Sequence, residues 1–418
     1  MPDKPAILGG EPVRTKPLGE WPIITGEEIE AVTGVLKRRK LCATMYSAYE
    51  VPRLEEEFAK VMNVKYAVAT SSGTAALDIA VAALGIGPGD EVVTTPYTFI
   101  ATATCIVHNC AIPVFADVDL RTRNIDPSDI ERKITDRTKA IIVVHIAGHP
   151  CEMDEIMEIA EDRGLYVIED CAQAHLAEYK GRIVGGIGHI AIFSFQESKN
   201  MMAGEGGMIT TNDPELAERC VSLREHGRLK DKPWYFHHRL GWNYRMTEMQ
   251  AAILRVQLKR LPKVTEERRR NAEYLSKLLS EFEAVKPGYV APYVKHAYHL
   301  YLVDYFPRRV GLTKEQFVKA VQAEGVPLTG GYMWPIYENP LFKELNARPR
   351  RCPFSCPYYG REVRYQRGLC PNAERLCYET GLWMPGYSLN VAREELDDVA
   401  VAVEKVVRHA DEIAKALK

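Results

Sequence analysis

Three segments of the 418-residue chain place small and polar residues where short apolar runs end. The first, residues 70–77, reads TSSGTAAL and joins a β-rich run to a helical pattern. Amides at a helix start carry partial positive charge and hydroxyls add donors, so this turn suits a phosphate, as it also suits plain capping by Ser72 or Thr74. The second, residues 167–175, reads VIEDCAQAH and closes an apolar run with two carboxylates. A buried Asp170 needs donors or a cation, and a protonated heteroaromatic nitrogen is one such cation; capping of the next turn is the plainer role. The third, residues 193–207, reads FSFQESKNMMAGEGG and sets Lys199 ahead of a glycine-rich stretch. Most lysines are solvated surface groups, but lysine is also the usual amine that condenses with a carbonyl cofactor. One ligand uses a phosphate cup, an acid for a ring nitrogen and a lysine for an aldehyde together: pyridoxal 5'-phosphate.

The elements that must hold these segments follow from periodicity. Residues 66–70, 91–94, 112–115, 140–144, 165–168, 190–194 and 207–210 are seven short β-rich runs, several of them apolar on consecutive positions. Strands covered on both faces read this way. Helical patterns such as 74–84 and 154–163 separate them, with Gly85 and Gly164 where C-caps belong. The alternation predicts an α/β fold with a mainly parallel seven-stranded sheet flanked by helices. Residues 214–224 and 247–261 continue as helix, Pro262 predicts a break or kink, and an aromatic, basic loop fills 226–244. Beyond residue 289 a strand (299–305), a helix (313–324) and a long final helix (393–416) predict a smaller α+β domain, with 346–371 an irregular excursion. The expected division is an N-terminal arm (1–25), a large cofactor-binding domain (26–260), and a helix linker with the small C-terminal domain (261–418).

Composition excludes several classes. Lys+Arg 54 against Asp+Glu 56 leaves a formal charge of -2, which offers no global attraction to nucleic acid or an anionic membrane. No apolar run reaches the 18 or more residues of a membrane span, and the first residues lack the apolar core of a secretory signal. Cytoplasmic location is expected, with the ten cysteines as reduced thiols. Cys352, Cys356, Cys370 and Cys377 lack the two-residue spacing of common zinc sites, so no metal is expected.

The segments SSGTAAL, EDCAQAH and SFQESKNMMAGEGG resemble those of the keto-sugar and keto-cyclitol aminotransferases, fold-type-I pyridoxal phosphate enzymes, in the family's order and at compatible spacing. The resemblance implies that Lys199 bonds the cofactor and shuttles the proton, and that Asp170 pairs with the pyridinium nitrogen. It places Gln173 near the ring's phenolic oxygen, Gly73, Thr74 and Ser194 in the phosphate cup, and Phe99 on the ring face. Asn243 matches an amide that the family brings from a partner subunit, which implies a homodimer with shared active sites. The implied reaction moves an amino group from glutamine or glutamate to a ketone of a sugar, nucleotide-linked above all, or of a cyclitol. Gln196 stands where many sugar aminotransferases carry histidine and is more like the 3-amino-5-hydroxybenzoate synthases and the glutamine:scyllo-inosose aminotransferases. His299 and Tyr332 join Gln196 as expected substrate contacts, although core packing is an alternative for both. A cofactor-dependent sugar dehydratase and a non-enzymatic regulator that kept the fold are the rival readings; the presence of Lys199 speaks against the first.

Overall fold

The computed structural model describes residues 4–44 and 47–417. The first three residues of the expected arm, Met45 and Tyr46, and Lys418 lie outside the described residues. Seven strands form the central sheet: β1 (Tyr66–Thr70), β2 (Glu91–Thr94), β3 (Ile112–Phe115), β4 (Thr138–Val144), β5 (Tyr166–Asp170), β6 (Ile190–Ser194) and β7 (Gly207–Thr211). Their spatial order is β1-β7-β6-β5-β4-β2-β3. β7 runs antiparallel to both of its neighbours, and the remaining pairs are parallel.

Alternation along the strands divides the apolar residues between two layers. Ile168 and Ile192 face one layer with Ala76, Ile79 and Leu216 from the helices Gly73–Ala83 and Pro214–Arg224. Val167 and Phe193 face the other with Phe58, Ile156 and Leu254. The sheet is therefore buried on both sides, and ligands have access only at strand ends. Gly164 caps its helix in the left-handed conformation (φ 64°), the position where a glycine costs least.

The three-stranded antiparallel sheet of the C-terminal part pairs β8 (Val285–Pro287) with β9 (Leu300–Tyr305) and β9 with β10 (Gly381–Pro385). Its core gathers Tyr301, Tyr305, Phe317 and Leu382, with Leu18 of the N-terminal segment. Of the break or kink expected at Pro262, the break does not occur. A single 33-residue helix, Glu248–Ser280, runs through it. An interior proline costs about 3 kcal/mol, whereas each buried leucine contributes about 1.5–3 kcal/mol. Leu254, Leu258 and Leu261 on one side and Leu275 and Leu279 on the other are all buried, so burial outweighs the lost hydrogen bond. Pro262 itself is exposed, so its ring takes no space in either core.

Two further expectations change. The final helix is divided into Arg393–Leu396, Asp397–Arg408 and Ala410–Ala416. The chain leaves helical geometry at His409 (φ -106°, ψ 20°), and Ala410 and Ile413 turn onto the small core. The 346–371 excursion is irregular but not peripheral: Phe354, Tyr359 and Tyr365 are buried beside Phe115. The Tyr365 hydroxyl donates to Pro113 O at 2.6 Å, and that of Tyr359 to a Glu91 carboxylate oxygen at 2.6 Å.

Candidate active site

The carboxyl ends of β1, β5 and β6 open onto a cavity of about 530 Å³ closed from the C-terminal side by His299, Leu300, Tyr332 and Trp383. This lies within the range of small-molecule sites. Gly73, Thr74, Phe99, Asp170, Gln173, Ser194, Gln196, Lys199, His299 and Tyr332 all border it, so the structure brings together every expected site residue except Asn243. Asn243 is exposed and outside the cavity. Its neighbour Tyr244 accepts the Ser71 amide at 2.8 Å, which ties that segment to the end of β1.

Asp170 ends β5 and is 4% exposed. Its two oxygens accept from the Thr102 hydroxyl at 2.9 Å and the Ala172 amide at 3.1 Å. Burial raises its carboxyl above the ordinary value, against the opposing pull of these donors and of Lys199. Among the described residues, no cation hydrogen-bonds to this acid. Lys199 follows β6 in a turn where its own amide donates to Gln196 O at 2.8 Å. Burial pushes its ammonium down to about 8, with Asp170 pulling the other way. A fraction of the amine is therefore neutral and nucleophilic near physiological pH.

The turn after β1 is built to be narrow. Ser72 caps the helix Gly73–Ala83 by accepting from the Ala75 amide. A Cβ added to Gly73 would lie 2.8 Å from the Ser194 Cβ, so only glycine leaves this space open. The amides at this helix start and the hydroxyls of Thr74 and Ser194 offer an anion cup. Gln173 is fixed between the Ala147 amide, which donates to its Oε1 at 2.7 Å, and the Tyr332 hydroxyl, which its Nε2 meets at 3.3 Å. Tyr332 in turn packs edge-on against Tyr97 and Trp383, with ring centroids 5.1 and 4.9 Å away. Phe99 lines the cavity and is 63% exposed.

The sequence reasoning missed Thr102, whose hydroxyl fixes Asp170 and lies 3.3 Å from that of Thr98. The four-residue spacing of these threonines at the start of the helix Ala101–His108 was the available signal. Trp383 and Glu205 also line the cavity without having been singled out. The four C-terminal cysteines form no ligand cluster among the described residues. The one group that does gather is His145, Glu169 and Cys171. Glu169 already accepts the amides of Gly185, Ile187 and Gly188 and meets His145 Nε2 at 3.1 Å, a closed structural arrangement.

A buried acid without a cation, a desolvated lysine, an anion cup that excludes a Cβ and an exposed aromatic face fit pyridoxal 5'-phosphate. Fold and site together define a fold-type-I pyridoxal phosphate enzyme. The comparisons agree. Residues 22–364 match the DegT/DnrJ/EryC1/StrS aminotransferase family. The L-glutamine:2-deoxy-scyllo-inosose aminotransferase of Streptoalloteichus tenebrarius is 35% identical over 99% of this chain and 100% of its own length. The solved structure of an aminotransferase from Psychrobacter cryohalolentis superimposes with a TM-score of 0.84 at 36% identity, covering 94% of this chain and all of that one. That of 3-amino-5-hydroxybenzoic acid synthase gives 0.83 at 29% identity, covering 95% and 100%. The chain belongs to the DegT/DnrJ/EryC1/StrS aminotransferase family and is a pyridoxal-phosphate-dependent aminotransferase.

Proposed function

We propose that this enzyme moves an amino group from glutamine or glutamate to a ring ketone of a cyclitol or sugar, with Lys199 and Asp170 as its catalytic pair. The observation that carries the assignment is the desolvated amine of Lys199 facing the same cavity as the buried carboxylate of Asp170. When bound, the cofactor supplies an aldehyde for the amine and an electron-accepting ring. Asp170 holds the ring nitrogen protonated, and Thr102 holds Asp170. Gly73, Thr74 and Ser194 take the phosphate, Gln173 meets the ring's oxygen and Phe99 covers its face. Lys199 Nζ removes the proton from the donor's α-carbon in the first half of the cycle and returns one to the former ketone carbon in the second.

Glutamine as donor and a cyclitol as acceptor find support in the inosose aminotransferase, which carries both chemistries in its name, and in Gln196 at the cavity rim. Gln196, His299 and Tyr332 read the acceptor's hydroxyls. A homodimer completes the site: Asn243 reaches the partner's phosphate cup, and the exposed Trp234, Tyr235, Phe236 and Leu240 of the same loop supply apolar surface for the contact. Among the described residues, no helix is long and apolar enough to cross a membrane. With ten free cysteines, this favours a reducing, cytoplasmic setting. The large domain is assigned to 26–260, the arm to 1–25 and the small domain with its linker to 261–418.

Borohydride reduction of the loaded enzyme followed by peptide mapping tests the core of this reading. The cofactor should be fixed to the peptide carrying Lys199, and a label elsewhere overturns the assignment. Free cyclitol ketones and nucleotide-linked keto-sugars, offered separately to the amine-loaded enzyme, then decide the acceptor by which of them gains nitrogen.

A further inference from the structure

The turn that follows β6 closes at Lys199, whose amide donates to Gln196 O at 2.8 Å. Glu197 and Ser198 are therefore the central residues of a β-turn, and the peptide between them is its middle. Both ends of this peptide are held. Its N–H, on Ser198, donates to Gln196 Oε1 at 2.9 Å, and the Ser198 hydroxyl donates to the same oxygen at 2.7 Å. Its carbonyl, on Glu197, accepts the indole N–H of Trp21 at 2.5 Å. Among the described residues, this is the only hydrogen bond that reaches the main chain of residues 196–199 from outside residues 194–206.

Trp21 is itself fixed on both sides. Leu18 is 2% exposed in the small core, and Gly19 (φ 80°) runs so near the C-terminal part that an added Cβ would lie 2.5 Å from Tyr387 O. Beyond Trp21, Ile23 O accepts from an Arg260 Nη at 2.7 Å. The ring faces the Arg268 guanidinium, 5.3 Å from its centroid. Arg268, on the helix Glu248–Ser280, is 2% exposed, and its Nε donates to Asn390 Oδ1 at 2.8 Å. It pairs with no carboxylate among the described residues, so the electron-rich ring offsets part of the cost of this buried charge.

We propose that Trp21 is a positioning residue for substrate binding: by holding the Glu197–Ser198 peptide, it fixes Gln196 as a one-way hydrogen-bond donor at the cavity. The inference rests on Gln196 contacting the acceptor. A glutamine amide can offer either its oxygen or its nitrogen to a ligand. Here the oxygen takes two bonds from Ser198, and a main-chain N–H can only donate, so Oε1 faces the turn. Nε2 is left without a partner among the described residues, on a side chain that borders the cavity. It suits the hydroxyl and carbonyl oxygens of a ring ketone and disfavours an ammonium group.

A β-turn can rotate its middle peptide by about 180° while its closing bond stays intact, which is the difference between types I and II. That rotation would turn the Ser198 N–H away from Oε1, release the Gln196 amide and pull the Glu197 carbonyl off Trp21. It would also need a positive φ at Ser198, which Ser198 does not have. Trp21 and the Cβ of Ser198 oppose the same rotation.

Hydrogen exchange at single-residue resolution, on cofactor-free full-length protein, tests this. Trp21→Phe keeps a ring against Arg268 and removes the N–H. The Ser198 amide should then exchange about fivefold faster, the worth of one hydrogen bond, while the Lys199 amide, bonded in both turn types, should not change. Equal acceleration at both positions, or none at Ser198, overturns the proposal. Should phenylalanine unfold the protein, benzothienylalanine at position 21, which replaces only the N–H by sulfur, gives the same outcomes. With scyllo-inosose as the ketone probe, KM should rise by up to about fivefold in Trp21→Phe at unchanged kcat. Ser198→Gly removes the cost of a positive φ. Combined with Trp21→Phe, it should raise KM by more than the product of the single effects, and a product or less overturns the proposal. Failure of the underlying reading looks different: Gln196→Ala would leave KM unchanged, while the exchange pattern still reports on Trp21.

Discussion

Two lysines, Lys314 buried and Lys199 half-buried at the cavity, have the same altered acidity and opposite surroundings. Burial pushes both Lys199 and Lys314 down to about 8. Lys314, at the start of the helix Lys314–Ala323, directs its amine into main-chain carbonyls: Gly330 O at 2.6 Å, Cys377 O, and Leu376 O and Gly381 O at 3.4 Å. Lys199 has one imidazole at 3.5 Å and an open cavity. A shifted acidity therefore does not mark a reacting lysine by itself. The distinction lies in how many groups hold the amine and whether a substrate can approach it.

Substitutions at the two positions should separate chemistry from stability. Lys199→Ala is expected to lower the rate of amine formation by about 10⁴-fold, the upper range for removing a positioned acid–base group, while leaving the fold intact by circular dichroism. A normal rate would erase the contrast. Lys314→Met should do the reverse. Orphaning its carbonyls is expected to cost about 2 kcal/mol in denaturant unfolding, with reductive methylation of Lys199 unchanged.

Asp170→Asn sharpens the role of burial. Because its carboxyl is raised in the folded state, the acid gives relative stability that is complete below the unfolded value and is lost as pH rises through the folded one. At neutral pH the cofactor-free variant should therefore melt above the wild type, while binding the cofactor about a hundredfold more weakly by fluorescence titration, roughly the worth of a charge-assisted hydrogen bond. An equal loss of stability would indicate that Asp170 is a structural cap.

Gly73→Ala, whose Cβ would press on Ser194, should weaken cofactor binding by about tenfold, the effect of roughly 1.4 kcal/mol. The smallest effect concerns the pH dependence of Lys199. Its folded value lies below the unfolded one, so below about 8 its burial penalty is complete, and stability rises with pH between about 8 and 10.5. Lys199→Met should be the more stable cofactor-free protein at pH 7, with the difference closing by pH 10.5.

Much of this arrangement was legible because local and tertiary preferences agree. The strand runs are apolar enough to identify themselves, and the three polar segments at their ends coincide with the cavity walls. The failures occurred where a distant partner decided the outcome. Pro262 forbids one hydrogen bond, but leucines on both sides of it are buried in separate cores. The prolines and arginines of the 346–371 excursion conceal aromatic residues that meet the sheet only after folding. Thr102 looks like an ordinary helix residue until Asp170 is placed beside it. Arg268 reads as one basic residue in a charged helix, and its isolation from carboxylates has no one-dimensional signature.

Arg123, fully buried, donates to Val303 O at 2.7 Å, Leu382 O at 3.1 Å and an Asp304 oxygen at 2.8 Å. The helix Glu248–Ser280 meanwhile threads both cores without interruption. Rivet and rod together oppose a clamshell swing of the two lobes. The cleft opens to solvent at its rim, where Phe99 and Ser198 are exposed, so a substrate enters there, past side chains, with no need for the lobes to part.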